Sequence, residues 1–125
     1  MAAAPETIYD AVGEVGIACL VQAFYAQVPT DEILGPMYVP AELPESERRL
    51  RDFLIYRFGG PDRYIVERGN PRLRIRHAPF VVDQIARNRW VQLMLHAIQS
   101  ADFTPEISGA LEAFFKETAT FLINH

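Results

Sequence analysis

The sequence has one cysteine, one lysine and three histidines in 125 residues, and each scarcity removes a class of explanation. Cys19 alone can build neither a disulfide framework nor a thiolate metal site. Lying in the apolar run GIACLVQAF, it is expected to be a small buried residue. There is no HExxH and no paired-histidine spacing, so a zinc site of three or four protein ligands is not expected. No run of about 18 apolar residues occurs, and MAAAPETIYD lacks a basic start followed by an apolar stretch. Neither a membrane span nor a leader is therefore expected, which points to a cytoplasmic protein. Internal repeats, low-complexity tracts and linkers are also missing. One domain over residues 1–125 is the expected organisation, large enough to bury roughly two-thirds of the surface its unfolded chain exposes.

The charge is unevenly placed. The net charge is −4, which argues against a general nucleic-acid binder. Yet all 11 arginines lie between Arg48 and Arg89, against four acids there, while the remainder carries 12 acids and Lys116. A guanidinium cluster of this kind suits paired contacts with carboxylate or phosphate. The more frequent arrangement is a surface on which arginines pair with the protein's own acids, and charge alone does not choose between them.

The apolar pattern is helical throughout, so an all-α chain is expected. Gly13 and Gly16 interrupt the apolar stretch from Ile8 to Val28, predicting a short helix turning sharply into a longer one that ends near Pro29. PTDEILGPMY offers a brief turn closed by Gly35-Pro36. After Pro44, ESERRLRDFLIYRFGG puts Leu50, Phe53, Leu54 and Phe58 on one face of a helix that ends at Gly59-Gly60-Pro61. Prolines and glycines then predict mostly loop with short helical turns as far as Pro79. Asp83 is a candidate cap for a helix with Ala86, Trp90, Leu93, Met94, Ala97 and Ile98 on its apolar stripe. Thr104 with Pro105 starts a last helix, whose expected buried face is Ile107, Leu111, Phe114, Thr118, Phe121 and Leu122.

Three histidines could do chemistry. His125 is the terminal residue, and His96 reads as a half-exposed helix position. His77 lies in RLRIRHAPF, after three arginines at alternate positions and just before a proline. A lone histidine there is more often a cap or an ion-pair partner than a metal ligand. One cofactor, however, needs only a single histidine. Haem also carries two propionates, which need cations, and a wide apolar face, which needs large side chains from several helices.

The stretches IYDAVG, FYAQV, MY, ERRLRDFL, FGGPDRY, RGNPRLRIRHAPF, RNRWVQLM and LIN together resemble the truncated haemoglobins, specifically their second group. Gly-Gly-Pro followed by Arg-x-Arg-His-Ala-Pro-Phe is the specific part, and the resemblance runs over nearly the whole chain. It implies a two-over-two helical sandwich around haem b. By that resemblance His77 is the proximal iron ligand, while Arg49, Tyr64 and Arg76 lie towards the propionates. Tyr25, Tyr38 and Trp90 take the distal, ligand-facing positions, Leu50 covers the ligand site, and Ser46 stands at its mouth. Leu54 and Phe80 complete the cofactor contacts. The sequence departs from the family pattern at Glu14-Val15, where a second glycine is common, and at Asn70, Phe58 and Ser46, where histidine, tryptophan and alanine are common.

For each aromatic the plain reading is core packing. The resemblance gives their type a reason, because dioxygen held at an iron carries negative charge outward and fixed donors stabilise it. A phenol donates or accepts, whereas an indole only donates. The leading expectation is therefore a protein that binds dioxygen, with carbon monoxide, nitric oxide and sulfide as further ligands. A redox enzyme at the same haem, dioxygenating nitric oxide or reducing peroxide with a reductase as partner, is the alternative. A haem-free helical interaction module docking through Arg72 to Arg76 is the third reading. A monomer or homodimer without a nucleic-acid or membrane partner fits all three.

Overall fold

The computed structural model describes residues 7–125; the N-terminal stretch read for a leader falls mostly outside the described residues. Among these the chain forms six α-helices: α1 (Ile8–Gln27), α2 (Leu43–Arg57), α3 (Arg63–Arg68), α4 (Leu73–His77), α5 (Gln84–Ser100) and α6 (Pro105–Phe121). Two 3-10 turns, Gly35–Met37 and Pro40–Glu42, connect α1 to α2. α1 packs against α2, α5 against α6, and α1 against α5, so one helix pair is laid over the other. This is the expected two-over-two sandwich.

Local chemistry explains where the helices start and bend. Thr7 caps α1 by accepting from the Asp10 amide at 3.0 Å. Gly13 then breaks the helical path with φ 69° and ψ 177°, a conformation that other residues adopt only under strain. The expected sharp entry into a longer helix is thus made at Gly13, and Gly16 is helical. Tyr9 donates its amide to the Phe58 carbonyl at 3.0 Å, bringing the start of α1 onto the end of α2. The approach is close enough that a Cβ on Gly60 would lie 2.6 Å from the Tyr9 ring. Asp83 and Thr104 cap α5 and α6 through the Ala86 and Ile107 amides, as expected.

Between α1 and α2 the turn is held by Asp31, which accepts from the amides of Ile33 and Leu34 at 3.0 and 2.8 Å. Arg89 lies 3.6 Å from the same carboxylate and so ties this turn to α5. Gln27 adds a second link, donating to the Leu93 carbonyl at 2.9 Å while its own oxygen meets His96 Nδ1 at 3.0 Å.

The core centres on Ile17, Leu20, Val21 and Phe24 of α1, Phe53, Leu54 and Ile55 of α2, Met94, Ala97 and Ile98 of α5, and Leu111 and Phe115 of α6. Among the described residues α1 alone is long and apolar enough to cross a membrane, and here its apolar stripe is a buried wall of this core. Cys19 lies off that stripe and is exposed, against the expectation of burial. The face of α6 is also rotated from the expected one. Leu111, Phe115 and Ala119 are buried, and Phe121 is 50% exposed. The spacing admits both faces, because Phe114 and Phe115 are adjacent; tertiary partners decide between them. Phe115 meets the rings of Trp90 at 5.6 Å, Phe114 at 5.3 Å and Phe58 at 6.4 Å.

The rotated face gives a direct expectation. Phe115→Ala should cost about 3–5 kcal/mol of unfolding free energy, as large buried-to-small changes do. Phe121→Ala should cost under about 1 kcal/mol. Urea denaturation of the two variants measures this, and comparable losses would contradict the assignment.

Candidate functional site

The residues singled out in the sequence gather into three groups. The first is aromatic and half-buried. Tyr25 and Tyr38 meet edge to face with ring centres 5.9 Å apart. The Tyr25 hydroxyl donates to the Ser46 carbonyl at 3.3 Å, a long bond for an O–H donor. Arg49 donates to the Ser46 hydroxyl at 3.2 Å. Trp90 is linked to this group through Phe24, whose ring lies 5.1 Å from Tyr25 and 5.4 Å from Trp90. Leu50 is half-buried against the core, whereas Leu54 is wholly inside it.

Burial raises the Tyr25 phenol well above its ordinary value, and the charge-like repulsion of the neighbouring Tyr38 phenol raises it further. Tyr38 is raised by burial as well. Both phenols therefore keep their protons at neutral pH, as hydrogen-bond donors must.

The second group surrounds His77 on α4. Its Nδ1 lies 2.7 Å from the Leu73 carbonyl. A carbonyl only accepts, so Nδ1 carries the proton and a neutral ring presents Nε2 as its lone-pair nitrogen. Phe80 lies beside the ring at 6.2 Å and is 43% exposed. α4 is entered through Arg72 in the left-handed conformation, φ 46°, and packs extensively on none of the other helices. Half-buried apolar side chains from several elements, among them Met37, Leu43, Leu50, Leu73 and Leu93, border the core without being enclosed by it. Among the described residues no three metal-binding side chains come together. An Nε2 without a protein partner, a short helix with few contacts to the others and incompletely covered apolar side chains fit a flat apolar cofactor with one protein ligand.

The third group is Tyr64 and Arg76. Tyr64 is buried against Phe53 at 5.5 Å, and Arg76 lies over its ring at 5.9 Å. Arg76 also donates to the carbonyls of Pro71 at 2.7 Å and Arg68 at 3.0 Å. The arginine cluster divides here. Arg48, Arg51, Arg63, Arg68 and Arg89 pair with acids, the surface arrangement that charge alone left open. Arg48 first, then Arg68, hold Glu45 down at about 2 by hydrogen bonding. Arg49 and Arg76, like Arg57, Arg72, Arg74 and Arg87, have no acidic partner among the described residues, and their charge stays available to an anion.

Sequence reasoning missed Phe24 as the link between Tyr25 and Trp90, and it gave Asn124 no role. Asn124 donates to the carbonyls of His77 and Phe80; it belongs to the LIN stretch, where no spacing signal marks it.

The bacterial-like globin family model matches residues 7–124. The group 2 truncated hemoglobin YjbI of Bacillus subtilis is 34% identical over 116 residues, covering 93% of this chain and 87% of that protein. Among solved structures, the hemoglobin of Chloroflexus aurantiacus is 37% identical with a TM-score of 0.91, covering 95% of this chain and 98% of that one. The thermostable hemoglobin of Thermobifida fusca is 36% identical with a TM-score of 0.91, covering 94% and 97%. The chain belongs to the bacterial-like globins as a group II truncated haemoglobin, and with that membership come a haem cofactor and the binding of a diatomic gas.

The raised phenols have a pH consequence. A folded state that binds the Tyr25 proton more tightly than the unfolded chain is stabilised by it below the ordinary value of 10.0, and that stability is lost as pH rises further. Denaturant midpoints at about pH 8 and about pH 11 should therefore fall more steeply in the wild type than in Tyr25→Phe. Equal slopes would contradict the assignment.

Proposed function

We propose that this protein holds haem b through His77 and retains dioxygen against hydrogen-bond donors from Tyr25, Tyr38 and Trp90. The observation that carries the reading is the Nδ1 contact to the Leu73 carbonyl at 2.7 Å, which leaves Nε2 as the nitrogen that would hold an iron. Haem supplies an iron at which a gas molecule is held. With Cys19 as the one cysteine, thioether attachment of the kind that needs two cysteines is not available, which supports a non-covalently held haem b.

The chain's own residues then set the outcome. Arg49, Arg76 and Tyr64 take the propionates, where guanidinium donors on carboxylate make charge-assisted bonds. Leu50 and Phe80 supply apolar contact, and Leu54, wholly inside the core, backs that wall from within. The Trp90 indole donates only. The Tyr25 hydroxyl gives up a long bond to Ser46 at small cost when it turns to a ligand. Three donors around one small, negatively polarised ligand slow its escape, which favours retention over rapid delivery. Carbon monoxide, nitric oxide and sulfide are further ligands of the same site. The setting is cytoplasmic, the form monomer or homodimer, and a reductase keeps the iron ferrous.

The same donors can pass protons to a reduced ligand, so catalytic consumption of nitric oxide or peroxide with a supplied reductant separates the redox enzyme from the binding protein. The interaction-module reading loses support because the chain belongs to a family of haem-binding globins.

Stopped-flow oxygen dissociation tests the distal donors. Trp90→Phe removes one hydrogen bond of about 1–1.5 kcal/mol and should speed release roughly tenfold. An unchanged rate would mean that the indole does not reach the ligand.

A further inference from the structure

Besides the Arg76 contacts to Pro71, Arg68 and Tyr64 and the Leu73 side chain on the core, α4 is held by bonds from the C-terminal end of the chain. Asn124 donates its backbone amide to the Val82 carbonyl at 2.8 Å, and its side-chain oxygen accepts from the Val82 amide at 2.9 Å. Its side-chain nitrogen donates to the Phe80 carbonyl at 2.9 Å and to the His77 carbonyl at 3.3 Å. One residue thus makes four hydrogen bonds to the segment that follows the histidine ring. On the other side of α4, Arg74 Nε donates to the Phe121 carbonyl at 2.9 Å while its guanidinium lies over the Phe121 ring at 4.2 Å.

A five-residue helix has almost no stability of its own, because nucleation fixes several dihedrals for each hydrogen bond formed. α4 also has no side-chain cap at its start and no extensive packing on another helix. What holds its end therefore bears on its position: the His77 carbonyl accepts from the Phe80 amide at 2.9 Å and, from outside this local turn, from Asn124 at 3.3 Å.

We propose that Asn124 is a positioning residue for His77: it fixes the backbone from which the axial imidazole projects, and through it the tilt of the ring at the iron. This rests on the reading of His77 as the iron ligand. The exposed Phe121 fits the same arrangement, since Arg74 uses its ring and carbonyl to anchor α4 to the end of α6.

Two variants of the haem-loaded protein test this. Asn124→Ala removes every side-chain bond, whereas Asn124→Asp keeps an oxygen for the Val82 amide and loses the donor to His77 and Phe80. In both, the iron–histidine stretching band of the ferrous unliganded protein should shift or broaden in resonance Raman spectra. Haem should transfer to excess apomyoglobin about tenfold faster, the size of effect seen for partners that orient a metal ligand. Hydrogen exchange of the Val82 amide should quicken in Asn124→Ala and stay slow in Asn124→Asp, which separates loss of the donor from loss of the fold. A wild-type band and wild-type haem loss in both variants would overturn the proposal. A wild type without any iron–histidine band would instead overturn the His77 reading beneath it, while Val82 exchange would still report the Asn124 contacts.

Discussion

The orientation of one imidazole depends on a 2.7 Å hydrogen bond from His77 Nδ1 to the carbonyl four residues before it. Because that carbonyl belongs to the same short helix, the ring cannot turn without α4 turning with it. α4 is in turn held by polar contacts from the chain's C-terminal end, by the Arg76 bonds to the Pro71 and Arg68 carbonyls and by Leu73 against the core that the longer helices close. α4 contributes to that core only through the half-buried Leu73.

The charge distribution follows the same division of labour. Acids at positions 14, 31, 45, 52 and 67 pair with five of the arginines. Arg49 and Arg76 are oriented by a hydroxyl and by backbone carbonyls. A carbonyl positions a guanidinium without neutralising it, so these two remain suited to an added carboxylate. An acidic protein can in this way retain a local anion site that its total charge conceals.

Helices and caps were legible in the sequence because Asp83, Thr104-Pro105 and the turn at Gly13 act locally. The rotation of α6 was not legible, since its spacing fits two faces; Phe58 meets both Phe114 and Phe115, and it is the ring of Trp90, distant in the chain, that meets Phe115. Cys19 misled because an apolar run on a helix still turns part of its circumference to solvent. His77 was picked out by resemblance and by its setting; its tautomer needed the Leu73 carbonyl in three dimensions. Asn124 lies 47 residues from His77, and no periodicity spans such a distance.

The account stands on His77 as the axial ligand. The sharpest measurement is the ferrous optical spectrum of His77→Gly, recorded before and after adding imidazole. The wild-type five-coordinate spectrum should vanish in the variant and return when imidazole occupies the space the side chain left. A variant whose spectrum matches the wild type without imidazole would contradict the claim.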